Sequence, residues 1–441
     1  MRSRLRKWLA DAREAFWLLP AAMVIGGILL AVGLLNLDES GKLPAWLDGS
    51  AWVYNGGGTG ARTLLGTIAS STIGVAGTVF SITIAALSLA AGQMGPRLLR
   101  NFTRDRGNQI TLGAFLGTFS YALMVLRSVR TTEESLFTPH LSLTVCVVLA
   151  FACVANLVYF VGHMANRINV DTVVELVSTD VHLAIGAIRT ECDQIPRPPR
   201  SFWTSGTPVR DCRSGYLRHV DVKALADWAA EHGTALLMLR RPGDYIFPGA
   251  PIALITVPVE DAAAAIRAHS VLASNRSGAN DVEDALRQLV EVAVRALSPG
   301  INDPHTAMSV LDRLGAVLCE LATCELDSGI FMRNGAIVLE MPDLSYDRLA
   351  GLMLHMIRQN AAGSPAILIR MLDVLTQVAH CEASPERRVT LVHHAELICT
   401  DAQDSVTNPA DLAAVMDRSA LFHTALNAPL KTSEDDFVAR G

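Results

Sequence analysis

Four stretches of this chain run without Asp, Glu, Lys or Arg for long enough to cross a lipid bilayer: Ala15–Leu37, Thr63–Pro96, Gly107–Leu126 and Ser135–Asn166. Crossing the hydrocarbon core takes about 20 apolar residues, and there every backbone N–H and C=O must find its partner inside the protein. These stretches are therefore expected to be helices, giving a four-helix transmembrane domain over residues 1–166. The first is too long for a cleaved leader, precedes three more spans, and has no small-residue cleavage site before Asp38. A mean hydropathy of +0.31 fits lipid as the solvent for part of the chain.

The connections between spans alternate in basic charge. Arg2, Arg4, Arg6, Lys7 and Arg13 precede the first span, and Arg97, Arg100, Arg104 and Arg106 lie between the second and third. The other two connections, 38–61 and 128–139, hold only Lys42 and Arg130, with Arg62 and Arg127 at span edges. The positive-inside rule then puts both termini and the 97–106 turn in the cytosol of a bacterial inner membrane, with the protein multi-pass. Trp17, Trp46, Trp52 and Tyr54 fall near the expected interfaces. No span has an ionisable Asp, Glu, Lys or Arg at its centre, which argues against proton-coupled transport and voltage sensing.

The second span is unusual. Its 34 uncharged residues would form a helix of roughly 50 Å, longer than the hydrocarbon core, so it must tilt, bend or protrude. It also carries a stripe of small residues, Ser70, Gly74, Gly77, Ser81, Ala85, Ser88 and Gly92, at intervals of three and four that keep to one helical face, ending at Gln93. Two readings compete: close packing of helix on helix, which small residues permit in lipid, and a hydrated path lined by this face in an oligomer.

Beyond the spans the balance turns acidic. Residues 1–162 carry an excess of five basic side chains, and the remainder an excess of eleven acidic ones. Nucleic acid is an unsuitable partner for such a surface, because phosphate binding relies on basic charge releasing counterions. The eight cysteines form no CxxC pair and no zinc-ligand spacing, so reduced structural thiols are expected, with no metal and no cofactor. No nucleotide loop, zinc-protease helix, nucleophile elbow or kinase signature is present, so no enzyme activity is assigned.

The cytosolic part reads as an α+β region. Residues 167–207 form a stalk helix and linker, broken by Pro196, Pro198 and Pro199. Residues 208–270 form a β-rich module. Gly215–Val220, Thr234–Arg240, Tyr245–Phe247 and Ile252–Val257 are strand-like, a helix spans Val222–Glu231, and Pro-Gly turns punctuate the run. A small β-barrel or sandwich is the expectation. Residues 271–430 are mainly helical, with helices over 281–297, from Asp303 onward, and near 344–360, 365–381, 386–402 and 409–425, plus a β-like pair at Gly329–Arg333 and Ala336–Met341. Asn280 with Glu283 suits a capping box, and residues 431–441 read as a disordered tail.

Between the first two of these helices lies a sharp corner. Pro299-Gly300 ends one, and Asp303 as N-cap with Pro304 at the first helical position starts the next. Asn302, Asp303 and His305 crowd a helix N-terminus that favours anions, so the corner is either purely structural or a site for a small anion or ion. His380, His393, His394 and Cys399 do not make a metal site, since His393 and His394 point to different helix faces.

Two segments carry a family resemblance. The first runs from Val79-Phe80-Ser81-Ile82-Thr83 through Gln93, Pro96-Arg97-Leu98-Leu99 and Asp105-Arg106 to Leu112-Gly113-Ala114-Phe115-Leu116-Gly117-Thr118-Phe119. The second is Leu286-Arg287-Gln288-Leu289-Val290 with Ala296-Leu297-Ser298-Pro299-Gly300-Ile301-Asn302-Asp303-Pro304. Together they resemble the bacterial predicted membrane proteins known as domain of unknown function 2254. That resemblance implies several spans and a cytosolic part, and no established activity. The expected function is an oligomeric channel-like or transport protein in contact with the lipid bilayer, alternatively a membrane-anchored sensor or scaffold binding a small anion or a protein partner.

Overall fold

The computed structural model describes residues 16–40, 57–94, 105–132, 135–168, 170–188, 195–274, 276 and 282–428. The basic residues before the first span, Trp46, Trp52, Tyr54, Arg97, Arg100, Asn280, the 431–441 tail and the side chain of Gln93 lie outside what is described. The chain divides into two units, Met1–Thr172 and Val173–Gly441.

Among its described residues the first unit holds four long helices: α1 (Leu18–Ser40), α2 (Gly58–Met94), α3 (Arg106–Ser128) and α4 (His140–Ile168). The portions long and apolar enough to cross a membrane are Leu18–Ser40, Gly58–Leu89, Arg106–Ser128 and His140–Ala165. The helix ends depart from the uncharged runs by a few residues, and two of the departures have a clear cause. The fourth helix starts at His140, because Ser135–Phe137 (β2) is extended and pairs antiparallel with Arg130–Thr132 (β1). A charge-free stretch shows what lipid tolerates; it does not mark where a helix begins. The first helix continues past Leu37, because Asp38 has partners. It accepts from the Leu141 N–H at 3.1 Å, the Ser142 N–H at 3.0 Å and the Ser142 hydroxyl at 2.6 Å. A carboxylate thus caps the otherwise unpaired N–H groups that open α4.

Three glycines let α1 and α3 approach closely. A Cβ on Gly27 would stand 2.5 Å from the Gly117 carbonyl oxygen, one on Gly117 3.0 Å from the Met23 carbonyl oxygen, and one on Gly113 2.5 Å from Met23 Sδ. Gly113 and Gly117 are four apart on one face, the small-residue spacing that brings membrane helices together. On α2 the buried face is Ala61, Leu65, Ala69, Thr72, Ala76, Val79 and Ala86, which pack with α3 and α4.

Helix α5 (Val170–Ile188) begins just before the boundary and runs into the second unit, where a 3-10 turn follows at Arg200–Trp203. Strands and short helices follow: β3 (Thr207–Arg210), β4 (Gly215–Val220), α6 (Val222–Glu231), β5 (Leu236–Met238), β6 (Tyr245–Ile246), β7 (Pro251–Ile255), α7 (Ala262–Ala268) and β8 (Ser270–Ala273). Next come α8 (Val282–Ala296), α9 (Pro304–Ala322), β9 (Ile330–Arg333), β10 (Ala336–Glu340), α10 (Tyr346–Asn360), α11 (Pro365–Cys381), α12 (Pro385–Ser405) and α13 (Pro409–Asn427).

The strands form no closed barrel among the described residues. They make one open sheet of five, ordered β3-β7-β5-β10-β9, and one of three, ordered β6-β4-β8. Of the barrel or sandwich expected over 208–270, the closed barrel is not found, and the five-stranded sheet takes β9 and β10 from beyond that range. Turn signals locate strand ends and leave partners undetermined, and β5 takes as its parallel neighbour β10, from the later helical stretch. One core serves both sheets: Leu217, Leu236, Ile246, Ile255 and Leu339 bury with Leu225 and Ala226 of α6 and Ile266 of α7.

The helical layer follows its local signals. Pro304, Pro365, Pro385 and Pro409 each occupy a first helical position, where the missing N–H costs nothing. Asp303, Ser345, Ser384 and Asn408 cap helices with side-chain oxygens that accept from backbone N–H groups. Helix α8 buries Leu286, Leu289, Val290 and Ala293, the apolar stripe visible in its spacing.

Candidate functional site

The stripe on α2 faces outward along its whole length. Ser70, Gly74, Gly77, Ser81, Ala85, Ser88 and Gly92 are all exposed within the chain, opposite the alanine-rich buried face. A Cβ added to Gly74, Gly77 or Gly92 would meet no other atom within 4 Å. Packing against neighbours of the same chain is therefore not the job of these residues. Their hydroxyls turn back on their own helix: Ser70 donates to the Gly66 carbonyl at 2.8 Å and Ser81 to the Gly77 carbonyl at 2.9 Å. Satisfied in this way, Ser70 and Ser81 can meet lipid or another polypeptide without stranding a donor.

The Pro299–His305 corner is tightly turned. Ile301 and Asn302 donate their N–H groups to the Ser298 carbonyl, and Asp303 donates to the Ala296 carbonyl at 2.8 Å. Asn302 takes a left-handed φ of 48°, which asparagine tolerates better than most residues. The Asp303 carboxylate accepts from the Thr306 N–H at 3.2 Å and the Thr306 hydroxyl at 2.6 Å. The Thr306 bonds, with help from His305, hold its pKa below the ordinary carboxylate value despite partial burial. The N-terminal end of α9 is thus already served by an internal carboxylate. Pro299, Gly300, Asn302 and His305 stay exposed around it.

Two polar clusters had no signal in the sequence pattern. One runs between α3 and α4. Asp105, the N-cap of α3, lies 2.5 Å from His163 Nε2, and the His163 ring stacks on Tyr159. One turn along, Asn108 is 2% exposed and neither atom of its amide has a partner among the described residues. Thr111 then donates to Asn156 Oδ1 at 3.3 Å, Thr118 meets Cys153 Sγ at 3.3 Å, and the Tyr121 hydroxyl donates to the Ser142 carbonyl at 2.9 Å. Asn, Thr, Cys and Tyr carry no charge and so do not interrupt a charge-free run; only pairing across the two helices reveals this seam.

The second cluster surrounds Glu283, in the first turn of α8 and 2% exposed. Arg348 Nε is 2.6 Å and Arg241 Nη1 3.2 Å from its Oε1, while Arg276 and Arg287 stand 3.6 Å and 3.7 Å from its Oε2. Burial alone would raise the carboxyl's pKa. The Arg348 hydrogen bond and the charges of Arg241, Arg348 and Arg287 outweigh burial and hold it below the ordinary value. Elsewhere in this unit, His394 of α12 is 1% exposed, with its ring centroid 4.8 Å from that of His355. Burial, reinforced by His355, His393 and Arg358, pushes its pKa down to about 4. His393 is exposed on the neighbouring face, and among the described residues no group of three or more His, Cys, Asp and Glu could hold a metal ion.

A family model described as "Predicted membrane protein (DUF2254)" matches residues 13–377. Uncharacterized proteins of Mycobacterium tuberculosis and Mycobacterium bovis are each 30% identical over 434 residues, covering 95% of this chain and 82% of the relative. No solved structure matches.

Proposed function

We propose, from the premise that the chain belongs to the DUF2254 family of predicted membrane proteins, that it assembles in the bacterial inner membrane as a channel-like or transport homo-oligomer. In this reading both termini are cytosolic and α2 faces neighbouring copies or the axis between them. One observation carries the proposal: the whole small-residue stripe from Ser70 to Gly92 is exposed on a single chain, while α2 buries its opposite side. Residues that small allow backbones of separate helices to approach in lipid, and they leave room for solvent where helices surround an axis.

The test is electrical. Purified protein in planar bilayers is expected to pass current under some combination of voltage, tension and salt. Ser81→Trp, which adds bulk midway along the exposed face, is expected to abolish that current without lowering the yield of folded protein. Silence under all three stimuli refutes the transport part. A monomeric mass for the detergent-solubilised protein refutes the assembly part.

A second reading is a membrane-anchored sensor or scaffold acting through the Pro299–His305 corner. The exposure of Pro299, Gly300, Asn302 and His305 beside the Asp303 cap favours it, and because that carboxylate already occupies the helix end, a protein partner suits the corner better than a free anion. Binding lost in His305→Ala while the melting temperature holds is the expected result. Binding unaffected by that change removes the corner from consideration.

A further inference from the structure

We infer that Asn108 and Asn156 bind a water molecule inside the four-helix unit, in the seam between α3 and α4. Three contacts fix how these helices meet. Asp105 lies 2.5 Å from His163 Nε2, Thr111 donates to Asn156 Oδ1 at 3.3 Å, and Tyr121 donates to the Ser142 carbonyl at 2.9 Å. Residue numbers therefore rise along α3 as they fall along α4. That register sets Asn108, midway between Asp105 and Thr111, at the level of Tyr159 and Phe160. Tyr159 turns outward, 56% exposed and stacked on His163, whereas Phe160 is 1% exposed in an apolar cluster with Phe115 and Met164. At the level of Asn108, then, α4 buries a phenyl ring.

The polar atoms left over identify the ligand. Asn108 is 2% exposed, and neither its Oδ1 nor its Nδ2 has a partner among the described residues. The same is true of the buried Asn156 Nδ2, on the amide whose Oδ1 accepts from Thr111. An amide shut away from solvent without hydrogen bonds is costly, so these atoms call for a partner of complementary chemistry. The set is one carbonyl acceptor and two N–H donors. A cation would be drawn to the oxygen and repelled by the N–H groups, and an anion the reverse. Water accepts from two N–H groups and donates to a carbonyl, which gives it about three hydrogen bonds, the usual complement of a buried water. Turning either amide over leaves donors and acceptors mixed, and water matches that set as well.

Access is short. Asn108 stands two residues inside the span Arg106–Ser128, within one turn of its end, so water reaches the seam without crossing the hydrocarbon core. The site stands independently of the assembly proposed above.

The experiment is radiolytic footprinting of the full chain in detergent. A short X-ray pulse splits water where it sits, and the hydroxyl radical formed oxidises the nearest side chain. Phe160 is the reporter, since its burial shields it from radicals made in bulk solvent. Phe422 in the second unit, 0% exposed, controls for radicals that diffuse inward. Oxidation of Phe160 is expected to exceed that of Phe422 several-fold in the parent and to fall to the Phe422 level in Asn108→Leu. Phe160 oxidised no more than Phe422 in the parent overturns the inference, and so does equal oxidation of Phe160 in parent and variant. Should Asn108→Leu fail to fold, Asn156→Leu, which removes the third hydrogen bond, is measured in its place with the same outcomes.

Discussion

Adjacent glycines on α1 should respond oppositely to the same methyl group. A Cβ at Gly27 would lie 2.5 Å from the oxygen, 3.1 Å from the carbon and 3.3 Å from the Cα of Gly117. Ordinary contacts begin near 3.5 Å, so the shortfall is roughly 1 Å, and the obstacle is backbone that no rotamer change can move. The helices must separate, and overpacking of this kind costs about 1–3 kcal/mol. At Gly26 the same methyl meets nothing within 4 Å. Both changes gain the same helix propensity, about 1 kcal/mol per Gly→Ala, so the gain cancels in the comparison. Gly27→Ala is thus expected to be about 1–3 kcal/mol less stable than Gly26→Ala, with Gly26→Ala at or above the parent. Denaturant unfolding of the three proteins in one detergent measures this directly. Coincident midpoints for Gly27→Ala and Gly26→Ala would mean that α1 and α3 do not cross at these glycines, and the close-packing argument would fall with them.

Two further predictions concern the second unit. Glu283→Gln removes the carboxylate that its arginines share and is expected to cost about 2–4 kcal/mol at neutral pH, in the lower range for broken buried pairs because Arg348 and Arg287 keep part of their hydration. Since the glutamate's pKa is lowered on folding, its stabilising effect is complete above the ordinary value of 4.5 and is lost as pH falls through the folded value. The gap between parent and variant in chemical denaturation should therefore close in strong acid, and a gap constant with pH refutes the ion-pair account. For His394 the sign is reversed, because it is held neutral at a pKa of about 4 against an ordinary 6.5. Stability should fall as pH drops from 6.5 toward 4, by roughly 3 kcal/mol at most from this group. His394→Phe is expected to flatten that part of the profile, and an unchanged slope in the variant shows that the proton goes elsewhere.

Local signals read well and long-range ones did not. Asp303 with Pro304 announces a helix start within two residues, and that start is observed, while Pro365, Pro385 and Pro409 hold the same first position in later helices. The four spans were legible because lipid imposes a length and a composition. The direction of the α2 stripe was not, since Ser70, Gly74 and Gly77 keep the same spacing whether they face a neighbour or the outside. The arginines around Glu283 come from positions 241, 276, 287 and 348, and no window of sequence holds them together. The same holds for Asp105 with His163, and for Asp38 with Ser142, which only the folding of helices against one another brings into contact.

The pairing of Leu236 with Leu339 sets a schedule for synthesis. When β5 leaves the ribosome it can join β7 on one side, but the strand for its other side is encoded about a hundred residues downstream. At roughly 5–20 residues per second that interval is on the order of 5–20 s. For that time a nascent chain tethered to the membrane displays an unpaired, apolar sheet edge of the kind that recruits foreign strands. Truncations before Glu340 prolong the same exposure indefinitely, so shortened forms of this protein should be cleared or aggregate even when every span is inserted.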